Sequence, residues 1–395
     1  MAFVDPRSNP YAPGAGSPPP DLAGRDELLE RAAIALDRIR AGLAAKSLIL
    51  VGLRGVGKTV LLNRIRNDAD ARGFATIFIE APEKRSLPAI LAGPLRAALL
   101  RLDRLAAGGD LAKRGLRALG GFINAMKVKF GDLEFGIDLG TEPGVADTGD
   151  LEHDLADLLA TVAAAARERK TALVLFIDEL QYVEEEQLAA LITALHRCAQ
   201  QSLPVTLVGA GLPQLVGQTG RAKSYAERLF EFPEVGPLAP DDARHALRTP
   251  AARHAVAYND DALDEILAQT KAYPYFLQEW GKHCWQCAQA SPITRADVDL
   301  ATEVAIAEMD ASFFRVRFDR LTPSEKRYLR AMAELGPGPH RSGDIANQLG
   351  AKVQSVAPVR AGLIAKGMVF SPSHGDTAFT VPLFDQFMRR VLAWP

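Results

Sequence analysis

Cysteine is scarce in this chain, with three residues, Cys198, Cys284 and Cys287, among 395. Three thiols cannot build a disulfide framework, which excludes the small stapled scaffolds of secreted proteins and points to a reducing compartment. Long apolar runs are missing as well. No stretch approaches the roughly 18 residues a membrane-spanning helix needs, so no membrane partner is expected. The first residues carry Asp5 and several prolines where a signal peptide would need an apolar segment, so the expected location is cytoplasmic. An excess of one charge is also lacking. The net charge is −2, so the chain as a whole is no polycation. What is present is ordinary for a globular protein, 48% hydrophobic and 24% charged residues. The length suggests about two or three domains.

Against that background one motif stands out. Gly52-Leu53-Arg54-Gly55-Val56-Gly57-Lys58-Thr59 is a complete G-x-x-x-x-G-K-T phosphate loop. The apolar run 47–51 before it reads as a buried strand, and Val60-Leu61-Leu62-Asn63-Arg64-Ile65 after it as the first turns of a helix. Glycines let backbone amides turn toward phosphate oxygens, and a helix N-terminus adds its positive dipole end. Lys58 is expected to reach the β- and γ-phosphates, and the Thr59 hydroxyl to hold Mg²⁺.

The texture along the chain divides it into four parts. Residues 1–20, rich in proline and glycine, read as a flexible arm. Residues 21–238 alternate helices with buried strands. The strands fall at 47–51, 75–79, 172–177, 205–209 and 229–235, and such alternation implies a parallel sheet with helices on both faces. An insertion spans about 86–150: its first part is helical, and the alternation within 127–138 suggests a small hairpin. Residues 239–310 read as helices without strands, a lid. Residues 311–395 carry Thr322-Pro323-Ser324-Glu325, a cap, first-turn proline and capping-box Glu in order. Two further short helices, a hairpin around His374-Gly375-Asp376 and a last helix complete the pattern of a winged helix-turn-helix. This module holds 12 Lys/Arg against 6 Asp/Glu, a balance that hints at an anionic partner.

Several residues carry candidate chemistry. Asp178 and Glu179 end a strand of consecutive apolar residues and match the Walker B pattern. Asp178 is expected to hold Mg²⁺ through water, and Glu179 to orient or deprotonate the attacking water. No guanine-selective N-K-x-D stretch occurs, so ATP is preferred over GTP. A further cation is expected at the γ-phosphate. The candidate is Arg228, before the last strand, with Arg221 as backup. Supplied by a neighbouring subunit, it would make the working unit a homo-oligomer. Cys284 and Cys287 form a C-x-x-C beside His283, but no second pair exists for zinc and the segment reads as an amphipathic helix, so core packing is expected.

Together these motifs resemble AAA+ ATPases of the origin-recognition-like type, including bacterial relatives with a C-terminal winged helix. The resemblance runs from about residue 19 to 395. Leu22-Ala23-Gly24-Arg25-Asp26 looks like the segment that precedes the adenine pocket, which implies nucleotide contacts for Gly24 and Arg25 as well as for Gly52–Val60. The implied fold is α/β: a P-loop core with a five-stranded parallel sheet, a helical lid and a winged helix-turn-helix. Two departures matter. Gly209, Ala210 and Gly211 stand where sensor 1 offers a polar side chain. Ala272-Tyr273-Pro274-Tyr275 stands where sensor 2 offers an arginine, and is similar to the G-x-P stretch of STAND-type signalling ATPases. Two functions stay open. One is a DNA-associated ATPase, with slow Mg-dependent hydrolysis of ATP to ADP, whose module 311–395 grips duplex DNA. The other is a STAND-like switch whose module docks a protein. The small outward residues Ala357, Pro358, Ala361 and Ala365 offer few base contacts, so any DNA binding is expected to be weak and salt-sensitive. Lys352, Gln354, Ser355 and Arg360 are the expected phosphate contacts.

Overall fold

The computed structural model describes residues 3–14, 16–81, 85–104, 110–127 and 140–394. Helix α1 (Asp26–Arg40) leads to β1 (Ser47–Val51), α2 (Lys58–Ala71), β2 (Ala75–Glu80), α3 (Leu87–Arg104), α4 (Asp110–Ala125), α5 (Leu151–Glu168) and β3 (Leu173–Asp178). There follow α6 (Glu185–Gln200), β4 (Val205–Gly211), α7 (Leu215–Ala222), α8 (Ala226–Leu229) and β5 (Phe230–Glu231). The five strands form one parallel sheet in the order β2-β3-β4-β1-β5.

The continuous apolar strands are explained by burial on both faces. Along β3, Leu173, Leu175 and Ile177 pack into the layer of α3 to α6, while Val174 and Phe176 pack into the layer of α1 and α2. Because β4 lies between β3 and β1, the loops after β1 and β3 flank its carboxyl end. Ligands of open α/β sheets bind at such a crevice. The last strand is shorter than the expected 229–235. Pro233 has no amide for the ladder, and pairing resumes only at the bridge between Val51 and Glu234. The expected hairpin at 127–138 lies outside the described residues, apart from Lys127.

The lid comprises α9 (Pro240–Ala252), α10 (Asp260–Thr270), α11 (Pro274–Cys287) and α12 (Arg295–Ala311). A short α13 (Arg315–Asp319) joins it to α14 (Pro323–Glu334), β6 (His340–Arg341), α15 (Ser342–Gln348), α16 (Val353–Ala365), β7 (Val369–Phe370), β8 (Asp376–Phe379) and α17 (Phe384–Val391). The small strands form an antiparallel sheet, β6-β8-β7. The capping box predicted at Thr322 and Glu325 is present. Lid and terminal module share one core, in which Phe276, Phe313, Phe314, Phe384 and Phe387 stack from α11 through to α17. The connecting segment 310–320 is therefore packed rather than loose.

The arm also departs from expectation. Val4 and Tyr11 are 1% and 4% exposed. The Tyr11 hydroxyl donates to Leu247 O, Trp285 Nε1 donates to Asp5 O at 2.8 Å, and Asn9 Nδ2 donates to Lys282 O at 3.0 Å. Two apolar anchors and three polar ties fix a segment whose proline and glycine content suggested none. Among the described residues, no helix is long and apolar enough to cross a membrane.

Candidate nucleotide-binding site

The phosphate loop runs from the end of β1 to the start of α2, as its sequence requires. At Gly52 a side chain is impossible, because a Cβ would stand 2.1 Å from Val235 O. Gly57 has φ +89° and turns the chain into α2, whose first amides have no helical partners and face the loop. The Lys58 ammonium, 8% exposed as a residue, donates to Gly52 O at 2.9 Å and Leu53 O at 2.8 Å. Burial pulls its pKa from 10.5 to about 8, against the opposing pull of Glu179 and Asp178.

Asp178, at the end of β3, meets the loop directly. Its Oδ2 accepts from the Thr59 hydroxyl at 2.6 Å and its Oδ1 from the Glu179 amide at 2.8 Å. Burial raises its pKa, only partly offset by those hydrogen bonds. Glu179 sits at φ +51°, an uncommon left-handed conformation for a non-glycine residue. Its carboxylate is 3.6 Å from Arg54 Nη1 and accepts from Gln181 Nε2. A cavity of about 590 Å³ is lined by Arg54–Val60, Asp178, Glu179, Arg25 and the arm. Buried Arg25 donates to Gly236 O at 2.5 Å, tying the start of α1 to the chain beyond β5. Gly24, at φ +64°, lies outside the lining and against Asp242, whose carboxylate a Cβ would meet at 2.5 Å.

Arg228 is not in this constellation. It is exposed on α8 and lines no part of the cavity. Arg221 is also exposed and pairs with Glu185 at 3.3 Å. The C-x-x-C packs as expected for its first thiol: Cys284 is buried in the lid core and Cys287 half-buried.

Several contributors were not foreseen. Gln181 reaches across to the end of β4 from the segment after β3. Its Oε1 accepts from Leu212 N at 2.9 Å, and a Cβ on Gly211 would meet that same oxygen at 2.6 Å. Tyr275, at the start of α11, donates its amide to Gly55 O at 3.0 Å. Arg317, on α13, reaches the cavity mouth; burial first and the nearby Arg54 second pull its pKa down to about 10. The terminal module touches the loop itself, for Arg54 N donates to Thr380 O at 2.9 Å. Gln181 is two residues past the Walker B acid and was within reach of sequence reasoning. Arg317 carried no local signal.

Residues 21–208 match the family of AAA ATPase domains. The matched stretch contains the phosphate loop, Asp178 and Glu179, and the match supports a nucleotide-binding ATPase. Residues 311–388 match a domain of unknown function, DUF8462. No curated protein matches the chain. Among solved structures, a Walker-type ATPase of Pyrococcus abyssi aligns over 93% of this chain and 96% of its own, at 16% identity and TM-score 0.58. Aeropyrum pernix Orc1, solved in complex with DNA, aligns over 94% and 93% at 16% identity and TM-score 0.47. The Thermotoga maritima RuvB branch migration motor aligns over 95% and 97% at 15% identity and TM-score 0.44. At these identities the likeness is one of fold, the P-loop α/β core with its helical additions.

Proposed function

We propose that the chain binds ATP with Mg²⁺ in this cavity and hydrolyses it slowly, and that the nucleotide governs how the terminal module rests on the phosphate loop. The observation that carries the reading is the 2.6 Å contact between Thr59 and Asp178 beside the buried Lys58. A hydroxyl and a carboxylate held together at the mouth of a phosphate loop are the oxygen donors Mg²⁺ takes in P-loop enzymes. Burial already disfavours a bare Asp178 carboxylate, so the residues fit the ion. Mg²⁺ supplies charge neutralisation between the β- and γ-phosphates. Lys58 and the amides of Gly55–Val60 hold the phosphates. Glu179 accepts the proton of the attacking water. Arg54 and Arg317 add positive charge at the γ-phosphate end of the cavity. Arg25 shapes the base side, while Gly24 serves only the turn before it.

Slow turnover follows from the acid's surroundings. Glu179 is already engaged by Arg54 and Gln181, and the end of β4 offers no polar side chain of its own. Arg228, exposed on α8, acts only if a neighbouring copy presents it to this cavity.

The terminal module has the helix and strand order of a winged helix. Its basic residues are largely committed. Arg330 pairs with Glu334, Lys366 with Glu325, Arg389 with Asp385 and Arg390 with Asp310. Arg360, expected to contact phosphates, bonds Thr377, Ser371 and Asp376 O within the small sheet. The exposed side of α16 is largely apolar and small, with Val353 44% exposed beside Ala357, Pro358 and Ala361, and Gln354 and Ser355 exposed at its first turn. That favours a protein partner over duplex DNA. ATPase rate measured with and without duplex DNA over a salt series tests this. DNA stimulation that fades with salt would reinstate the DNA reading. No ATP hydrolysis above that of Lys58→Ala under any condition would remove the catalytic one.

A further inference from the structure

Away from the phosphate cavity, α11 and α12 bring together Glu279, His283 and Glu308. We propose that these three side chains bind a zinc-type dication, at a site separate from the Mg²⁺ position at Thr59 and Asp178. Glu279 and His283 stand four residues apart on one face of α11, and α12, packed against it, supplies Glu308. One donor atom of each lies within 4.8 Å of the others.

The buried members are short of partners. His283 is 1% exposed, and neither ring nitrogen makes an aligned hydrogen bond. Glu279 is 7% exposed, and its Oε2 has no hydrogen-bond partner either, Lys282 Nζ standing 3.8 Å away. Such groups are costly to bury unless something coordinates them. The spacing suits an ion. His283 Nε2 is 3.2 Å from Glu308 Oε2 and 3.7 Å from Glu279 Oε2. Donors about 2.1 Å from a shared tetrahedral ion stand about 3.4 Å apart.

Each carboxylate is oriented through its other oxygen. Tyr275 Oη donates to Glu279 Oε1 at 2.8 Å, and Lys282 Nζ donates to Glu308 Oε1 at 2.7 Å. Outer partners of this kind fix ligands in metal sites. One imidazole with two carboxylates suits Zn²⁺ or Co²⁺ better than Mg²⁺ or Ca²⁺, which take more oxygens. Three protein donors leave one position for water, and Glu308, half exposed, gives the ion a way in.

The test is titration of untagged full-length Asp178→Asn protein with Zn²⁺ in excess Mg²⁺, followed by calorimetry. The expected result is one Zn²⁺ per chain, with Co²⁺ giving the visible absorption of a four-coordinate site. Glu308→Gln and His283→Gln are expected to weaken binding roughly tenfold or more, and Cys287→Ser to leave it unchanged. If His283→Gln fails to fold, Glu308→Gln, at an open position, decides. Absence of stoichiometric binding, binding that survives Glu308→Gln, or binding lost in Cys287→Ser would each overturn the proposal.

Discussion

Lys58 ties the site to pH in a direction that can be worked out. Its pKa in the folded protein is about 8, below the ordinary 10.5. Between those values the unfolded chain holds more protons, so this residue's contribution to stability rises with pH and the cost of its burial is greatest below about 8. Nucleotide acts the opposite way, because phosphates restore the charged form. ATP affinity is therefore expected to be flat below about pH 8 and to fall above it, by up to about tenfold per unit. A titration of ATP Kd against pH measures this, with Lys58→Arg, charged throughout, giving a flatter profile. A wild-type profile as flat as the arginine variant's would show that Lys58 keeps its proton regardless. Glu179 and Gln181 give a second residue-scale prediction. Glu179→Gln should cut kcat by about 10²-fold or more while ATP remains bound. Gln181→Met removes the side-chain link that aims Glu179 and should lower kcat with ATP Kd unchanged. Equal kcat in Gln181→Met and wild type would reduce Gln181 to a structural tie. The phosphate loop and the Walker B pair were legible because their chemistry is written in consecutive residues. Gln181 was not, since its role depends on a strand end 30 positions away, where Gly211 leaves room for its side chain.

At the scale of elements, strands and helices with clear periodicity were legible, and segments ordered by distant contacts were not. Four of the five core strands announced themselves as apolar runs, and α14 through its cap. The N-terminal arm reads as loose because proline and glycine supply no period. Its order comes from Val4 and Tyr11 reaching the lid core, Tyr11 against Gly281, where a Cβ would stand 2.8 Å from the ring. Tyr11→Ala is expected to destabilise the protein by about 3 kcal/mol or more in urea unfolding, as for other large buried aromatics. Phe3→Ala, at a position 74% exposed, should stay within about 0.5 kcal/mol. The arm also closes the cavity, since Gly16 approaches the Thr59 methyl: a Cβ there would meet it at 3.1 Å. Tyr11→Ala should therefore weaken ATP binding as well. Unfolding curves that shift no more for Tyr11→Ala than for Phe3→Ala would mean the arm contributes nothing to the folded state.

For the molecule as a whole, the decisive contact is one the sequence could not reveal, between modules more than 300 residues apart. Thr380 O accepts from the Arg54 amide within the phosphate loop, and Gly367 lies beneath the Arg54 and Tyr182 side chains. A Cβ on Gly367 would meet Arg54 Nη2 at 3.1 Å and Tyr182 Oη at 3.3 Å, and the residue has φ +63°. The module thus braces Arg54, and Arg54 in turn sits 3.6 Å from the carboxylate of Glu179. While that brace holds, the Glu179 carboxylate is engaged by a guanidinium and is not free to meet the attacking water. Gly367→Leu would drive its side chain against Arg54 and Tyr182, displacing Arg54 and pushing the module back. The left-handed backbone adds a strain of about 1–2 kcal/mol. Releasing Arg54 should free Glu179, so this variant is expected to hydrolyse ATP several-fold faster than wild type and to show a larger radius of gyration in solution scattering. Gly367→Ala, with less bulk to place, should lie between the two. Scattering decides whether the step occurred, and the rate decides what it does. Expansion without acceleration would mean that the module rests on the loop without restraining it, and the nucleotide would then have to act on its partner by some other contact.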